Sequence, residues 1–336
     1  MKKVFSAMLA LTVGAAALSF AACSPEGTNE DAFTVYAPDG APALALANAV
    51  HEGNGDFEYH IVASDTITAQ VTGESPAADF CVLPVNAAAK LLGTGESYQM
   101  LGTVTNGNMY FLTTGDNPSL TEDNFETLVG KKVGVVQLNN VPGLTLQAVL
   151  AEHDLPVNIV GNDGATSDTA VNLQAFEAGN VTPAAGFDYY LCPEPAATTK
   201  INATSSAAVP FKMAGSLQEL YGENGYPQAV LVAKTSVIAD HKPVVDTLIT
   251  YMEGSADYLA SADAADVVEL LAPCYTEGMT PSLNANNLNA TVIANCSVRF
   301  TAAQACKERV NTFLAQLIEV NEQFISAVSD AFYYAG

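Results

Sequence analysis

"TVYAPDGAPALALANAV", residues 34–50, sets a β-type run directly against a helix-type run with little side-chain bulk between them. The β-branched and aromatic residues of Thr34-Val35-Tyr36-Ala37 favour a strand, and Pro38-Asp39-Gly40 stops it. Ala43, Leu46, Ala47 and Val50 then recur at the i, i+3, i+4, i+7 spacing, which predicts a helix over 42–52. Pro42 is tolerated in the first turn because its missing N–H would have no intrahelical partner. Gly40 and Ala41 keep the junction bare. Such a helix start turns unpaired N–H donors and about half a positive charge outward.

The device returns in "VVQLNNVPGLTLQAVL", residues 135–150. Gln137, Asn139 and Asn140 form the turn, and Val141, Pro142 and Gly143 open a helix predicted over 142–153, with Leu146, Val149, Leu150 and His153 on one face. In open α/β sheets these starts line the crevice at the carboxyl ends of the strands. A single turn of this kind reads as an ordinary connection capped by water. Two of them behind an export signal predict opposed helix tips that offer main-chain donors to a small molecule across a cleft.

Around these stretches strands and helices alternate. Strands over 34–37, 58–63 and 79–84, interleaved with helices over 42–52, 66–73 and 86–92, predict an α/β fold with a parallel sheet and helices on both faces. The two β-runs of 100–112 are separated by Asn106-Gly107-Asn108, which is either a hairpin or a strand passing from one sheet to another. The alternation restarts with strands over 132–137 and 157–161 and helices over 142–153 and 169–179. Strands over 184–191 and 207–213 follow, and one over 228–233 could return to the first sheet. The remaining third reads as helices over 243–260, 263–271 and 301–327 that wrap back over the first domain.

The 336 residues suit two domains, since single cores stop growing near ~250–300 residues. Lys2-Lys3, the apolar residues 4–22 and Phe20-Ala21-Ala22-Cys23 resemble a bacterial lipoprotein signal, although Phe20 departs from the usual Leu. This gives a signal peptide over 1–22, lipidation at Cys23 and a tether over 23–32, against the alternatives of a simple signal peptide or an uncleaved anchor. No later run of about 20 apolar residues is present. Processing removes two lysines and no acid, so the formal charge moves from −24 to −26. A body this acidic argues against nucleic acid and anionic lipid as ligands. Five cysteines follow Cys23, so at least one lacks an internal partner. Export permits a Cys274–Cys296 pair, or Cys296–Cys306, with buried reduced thiols an equal alternative; Cys81 reads as core and Cys192 is unassigned.

The motifs "VYAPDGAPALALA", "DFCVLPVNAAAKLL", "GTVTNGNMYFLTT", "VGVVQLNNVPGLTLQAVL" and "YYLCPEPAAT" resemble the type II periplasmic substrate-binding proteins of ABC importers, nearest the nitrate, sulfonate, taurine and thiamin-pyrimidine group, over roughly residues 33–330. The resemblance implies two α/β lobes, each a mostly parallel sheet flanked by helices, joined by two crossing strands near 105–111 and 210–230. Lobe one would take 33–107 and 225–336, and lobe two 108–224. It also implies a monomeric receptor, working with an ABC permease and its ATPase, that closes on one solute without a cofactor or metal.

By that resemblance the contacts come from strand-end loops: Asp39, Gly40, Ala41 and Pro42, then Ser64, Asp65 and Thr66, then Pro84 and Asn86. The crossing adds Asn106, Gly107 and Asn108, which turn chemistry explains equally well. The second lobe adds Gln137, Asn139, Asn140, Val141 and Pro142, with Tyr189, Tyr190 and Glu194. The tyrosines are either cleft wall or core, and Glu194 is either a cleft acid that binds an amine or a surface loop acid. Arg299 and Arg309 are the only arginines, and neither lies in these loops, so an anion would lack the usual bidentate fork. The solute is then either a sulfonate- or nitrate-like anion held by backbone N–H groups or an amine-bearing heterocycle such as a thiamin pyrimidine.

Enzymes of the thiamin-pyrimidine or menaquinone-pathway type share that fold. The cysteine-rich run of the fungal pyrimidine synthase has no counterpart here, and His51, His60, His153 and His241 are scattered without metal spacing. No Walker loop or G-x-S-x-G is present. A surface sensor without a transporter is the third reading.

Overall fold

A computed structural model describes residues 32–336. Cys23 and the export segment lie outside the described residues. The strands are β1 Phe33–Pro38, β2 Phe57–Val62, β3 Phe80–Pro84, β4 Tyr98–Thr105, β5 Met109–Thr113 and β6 Lys132–Val136. They continue with β7 Val157–Ile159, β8 Val171–Phe176, β9 Tyr189–Pro193, β10 Lys212–Ser216, β11 Ala229–Lys234 and β12 Val298–Ala302. They form two six-stranded sheets, ordered β12-β4-β11-β3-β1-β2 and β10-β5-β9-β6-β8-β7. Each sheet with its helices is one lobe of an α/β fold.

Both sheets are mixed. In the first, β1 runs parallel to β2 and β3, whereas β11 and β12 pair antiparallel with β3 and β4. In the second, β6, β7, β8 and β9 run parallel while β5 and β10 are antiparallel. The helices after β1, β3 and β6 are crossover connections, whereas β7 and β8 run parallel with no helix between them. The antiparallel ones enter from the crossings or from the C-terminal tail. β3 is central, and Phe80, Cys81, Val82 and Leu83 are all fully buried, as a strand covered on both faces requires.

The chain passes between sheets twice. β4 and β5 lie in different sheets, so Asn106-Gly107-Asn108 is a transfer and not a hairpin. The return runs from β10 through the helix Leu217–Tyr221 to β11. The crossings are tied together. Met109 N–H donates to Gln218 Oε1 at 2.9 Å and Asn108 N–H to Gln228 Oε1 at 3.1 Å, while Gln228 Nε2 donates to Asn108 Oδ1 at 2.7 Å. Gly107 sits at φ +92°, where an added Cβ would lie 2.7 Å from Gln218 Cβ, so only glycine fits between the crossings.

Several expected elements differ. Residues 169–179, expected as a helix, hold β8, where Val171 and Leu173 are buried in strand alternation around Asn172. Asn172 Oδ1 accepts from Ser167 N–H and Asn158 Nδ2, so its burial is satisfied. The strand expected over 207–213 is β10 at Lys212–Ser216, and a helix over Ala196–Thr204 precedes it. The C-terminal tail does pack on the first lobe, but it opens with β12 before the long helix Ala303–Asn321.

The five cysteines are free thiols, although Cys296 lies in, and Cys274 against, one apolar cluster. The pairings Cys274–Cys296 and Cys296–Cys306 are therefore replaced by the buried-thiol alternative. Burial raises all five thiols from the ordinary 9.0, Cys274 to about 11 and Cys192 to about 12. A folded pKa above the unfolded one gives stability that is complete below pH 9 and is lost as pH rises through the folded values. Each thiol contributes a slope of up to about 1.4 kcal/mol per pH unit. Urea midpoints should hold steady to pH 8 and fall steeply between pH 9 and 11. A flat profile through pH 11 would contradict this burial.

Candidate functional site

The carboxyl ends of four parallel strands stop at one hollow between the sheets. β1 ends at Pro38, β3 at Pro84, β6 at Val136 and β9 at Pro193, and all four residues line a cavity of about 550 Å³. The antiparallel β5 and β11 begin at the same level, so Met109 sits opposite Pro193 and Ala229 opposite Pro84 in the lining. This is where open parallel sheets place their ligands, and the volume falls within the ~300–1,000 Å³ of small-molecule sites.

Both helix tips reach the hollow. Asp39, Gly40, Ala41 and Pro42 line it from the first lobe and Gln137, Asn140, Val141 and Pro142 from the second. Ser64, Pro84, Asn108 and Glu194 also line it. The other expected contacts lie elsewhere. Asp65 and Thr66 are exposed beyond Ser64, with Thr66 Oγ1 donating back to Ala63 O, and Asn139 is exposed on the outer side of its turn. Asn86 is buried beneath the segment around Phe324, whose carbonyl accepts from its amide. Asn106 turns to a separate hollow on the other side of the crossings, where its amide donates to Arg299 O and its oxygen accepts from Arg309. Gly107 is enclosed by Gln218 and Tyr226.

Tyr189 and Tyr190 belong to the core and not to the cleft wall. Both are fully buried, and their hydroxyls donate to Pro118 O and Thr182 O. Strand alternation places them on opposite faces of β9, and Tyr190 packs edge-on against Phe187 and Phe211.

The two acids of the wall are engaged within the protein. Asp39 Oδ1 accepts from Gly40 N–H at 2.7 Å, Tyr275 OH at 2.9 Å and Ser282 OH at 2.8 Å, and Oδ2 accepts from Ser282 N–H at 2.8 Å. Burial, and then the Asp39 carboxylate, hold the Tyr275 phenol above its usual range. Glu194 is 1% exposed. Its carboxylate accepts from Thr198 N–H at 3.0 Å, Thr198 OH at 2.7 Å and Asn295 Nδ2 at 3.2 Å. It therefore caps the helix Ala196–Thr204 and receives an amide from the opposite lobe. Asn287 Nδ2 donates across the same gap to Thr199 Oγ1 at 3.1 Å.

The tips are also less bare than their sequence suggested. Ala43 and Leu44 N–H both bond to Gly40 O, and Pro42 has no N–H, so Ala41 alone is left in the first turn. At the second tip Asn140 Oδ1 takes Val141 N–H, Pro142 has none, and Leu144 N–H goes to Asn140 O.

Sequence reasoning missed Gln228 and the segment carrying Met279, Thr280 and Ser282, which roofs the first tip. Its signal was the run of Thr, Ser, Asn and Pro over 276–289 between two helices, since long structureless connections are usually functional.

Gln137 is held at φ +59° while lining the cavity. A left-handed conformation costs a non-glycine residue roughly 1–2 kcal/mol. Gln137→Gly should leave the urea midpoint unchanged or higher while weakening solute binding about tenfold, the effect of about one lost hydrogen bond. A lowered midpoint with unchanged binding would remove the side chain from the site.

No protein-family model matches the chain, and no curated protein matches its sequence. Its fold does match solved structures. An ABC transporter protein from Parabacteroides distasonis superposes with a TM-score of 0.67 at 16% identity, over 91% of this chain and 99% of that one. The periplasmic aliphatic sulphonate binding protein SsuA of Escherichia coli gives 0.61 at 12%, over 91% and 94%. A zinc-bound ligand binding component of an ABC-type import system from Staphylococcus aureus gives 0.55 at 11%, over 91% and 97%. The chain thus has the two-lobe α/β fold of these solved structures.

Proposed function

We propose that the protein is an extracytoplasmic receptor that binds one small solute between its lobes and delivers it to the permease and ATPase of an ABC importer. The observation that carries this reading is the cavity itself, built from strand ends and helix tips of both lobes. The likeness in fold to an ABC transporter protein, a periplasmic sulphonate binding protein and a ligand binding component of an ABC-type import system supports it. In this reading the chain acts as a monomer, with lobe one formed by 33–107 and 225–336 and lobe two by 108–224. The engagement of both wall acids by internal donors supports binding over catalysis. Among the described residues no helix is long and apolar enough to cross a membrane. In this reading anchoring falls to Cys23 because residues 20–23 resemble a lipoprotein signal, and Cys23→Ser should move the protein from the membrane to the soluble fraction. Continued sedimentation with membranes would contradict lipidation.

The receptor reading is tested by thermal unfolding against a small-metabolite extract. A solute at 100 times its Kd should stabilise the folded state by about 2.7 kcal/mol. No shift with any component, from protein with a folded circular-dichroism spectrum, would contradict it.

A further inference from the structure

We propose that the cavity takes an uncharged or positively charged organic solute with a mainly apolar body, and rejects sulfonates and other compact anions. This deepens the receptor reading and rests on it. No lysine, arginine or histidine lines the cavity, whereas two carboxylates, Asp39 and Glu194, do. All the hydrogen bonds to these acids come from neutral groups: backbone N–H, tyrosine and serine or threonine hydroxyls, and an asparagine amide. Neither acid is in an ion pair among the described residues. Their negative charge is therefore dispersed but not cancelled, and an entering anion meets it unopposed.

The alternative support for an anion is a set of main-chain donors, and the tips have lost most of theirs. Pro42 and Pro142 remove one N–H each, and Asn140 consumes that of Val141. Ala41 N–H remains on the first tip, beside the Asp39 carboxylate, and Gly143 N–H on the second, where Gly143 does not line the cavity. A compact anion is ordinarily gripped by an arginine fork or a nest of several N–H groups, and neither is assembled here.

What the wall does offer is apolar surface and neutral polar groups. Pro38, Pro42, Pro84, Pro142, Pro193 and Pro195 all face the hollow. Met109, Met279, Val136 and Val141 add to them. The hydroxyls of Ser64 and Thr280, the Gln137 amide and Asn140 Nδ2 carry no hydrogen bond within the described residues. Such groups orient a ring or chain bearing a few neutral or protonated nitrogens or hydroxyls without requiring a charge on it.

The test uses the full chain and a small-metabolite extract separated by ion exchange into anionic, neutral and cationic fractions, with ethanesulfonate and butanesulfonate as pure anionic probes. The unfolding midpoint should rise by several degrees with the neutral or cationic fraction, and should not move with the anionic fraction or either sulfonate. Any stabilisation by the anionic fraction or a sulfonate overturns the inference while leaving the receptor reading intact. No shift with any fraction overturns both.

Discussion

Gly143→Ala should destabilise the protein by about 3 kcal/mol and weaken solute binding with it. Helix propensity alone gives the opposite sign, since alanine is favoured over glycine by about 1 kcal/mol in a helix interior. The obstacle is main chain. A Cβ on Gly143 would lie 2.0 Å from Leu138 O and 2.4 Å from Leu138 Cα. No rotamer change relieves such a contact, so the turn and the helix Val141–Glu152 must separate. That turn also carries Gln137 and Asn140 into the cavity wall, which couples the stability loss to binding. Urea denaturation measures the first effect, and calorimetry with the stabilising extract fraction measures the second. A wild-type midpoint would mean that turn and helix do not pack this way.

Glu194→Ala should cost about 3 kcal/mol, and Glu194→Gln about half of that. The alanine variant strands Thr198 N–H and Thr198 OH at the start of the helix Ala196–Thr204 and leaves the Asn295 amide without its acceptor. Glutamine keeps one acceptor oxygen but turns an amide NH₂ toward groups that are themselves donors. Because Asn295 belongs to the first lobe and Glu194 to the second, both variants should also raise the solute dissociation rate. From sequence, Glu194 stood either as a cleft acid that binds an amine or as a surface loop acid, and neither reading gives it a part in folding. Its hydrogen bonds predict a loss of stability even without solute. Unchanged urea midpoints in both variants would contradict the capping role.

The sequence made the α/β alternation legible because β1, β3 and their following helices carry strong, uninterrupted patterns. The Phe80–Leu83 run and the alanine-rich stretch after Gly40 each have one plausible period. β8 was misread because alanine, glutamine and glutamate around 174–178 favour a helix locally, while the alternation of Val171 and Leu173 around Asn172 is short. The helix Ala196–Thr204 was missed for the converse reason: its threonines and Ile201 are poor helix formers, and the cap supplied by Glu194 is a side-chain contact. The strand-end location of the site could be read from the turns. Which side chains remain free within it could not, because Tyr275, Ser282 and Asn295, remote in sequence, occupy the acids.

The bonds between the two crossings restrict how the lobes move. The Gln228 side-chain amide accepts from Asn108 N–H and donates to Asn108 Oδ1, and Gln218 holds Met109, so neither crossing bends without carrying the other. Sliding one sheet past the other, or twisting it about the long axis, would tear these bonds, whereas opening and shutting about their common line preserves them. The least costly relative motion of the lobes is then a hinge rotation about that line, and it is the motion that a solute held between them would oppose.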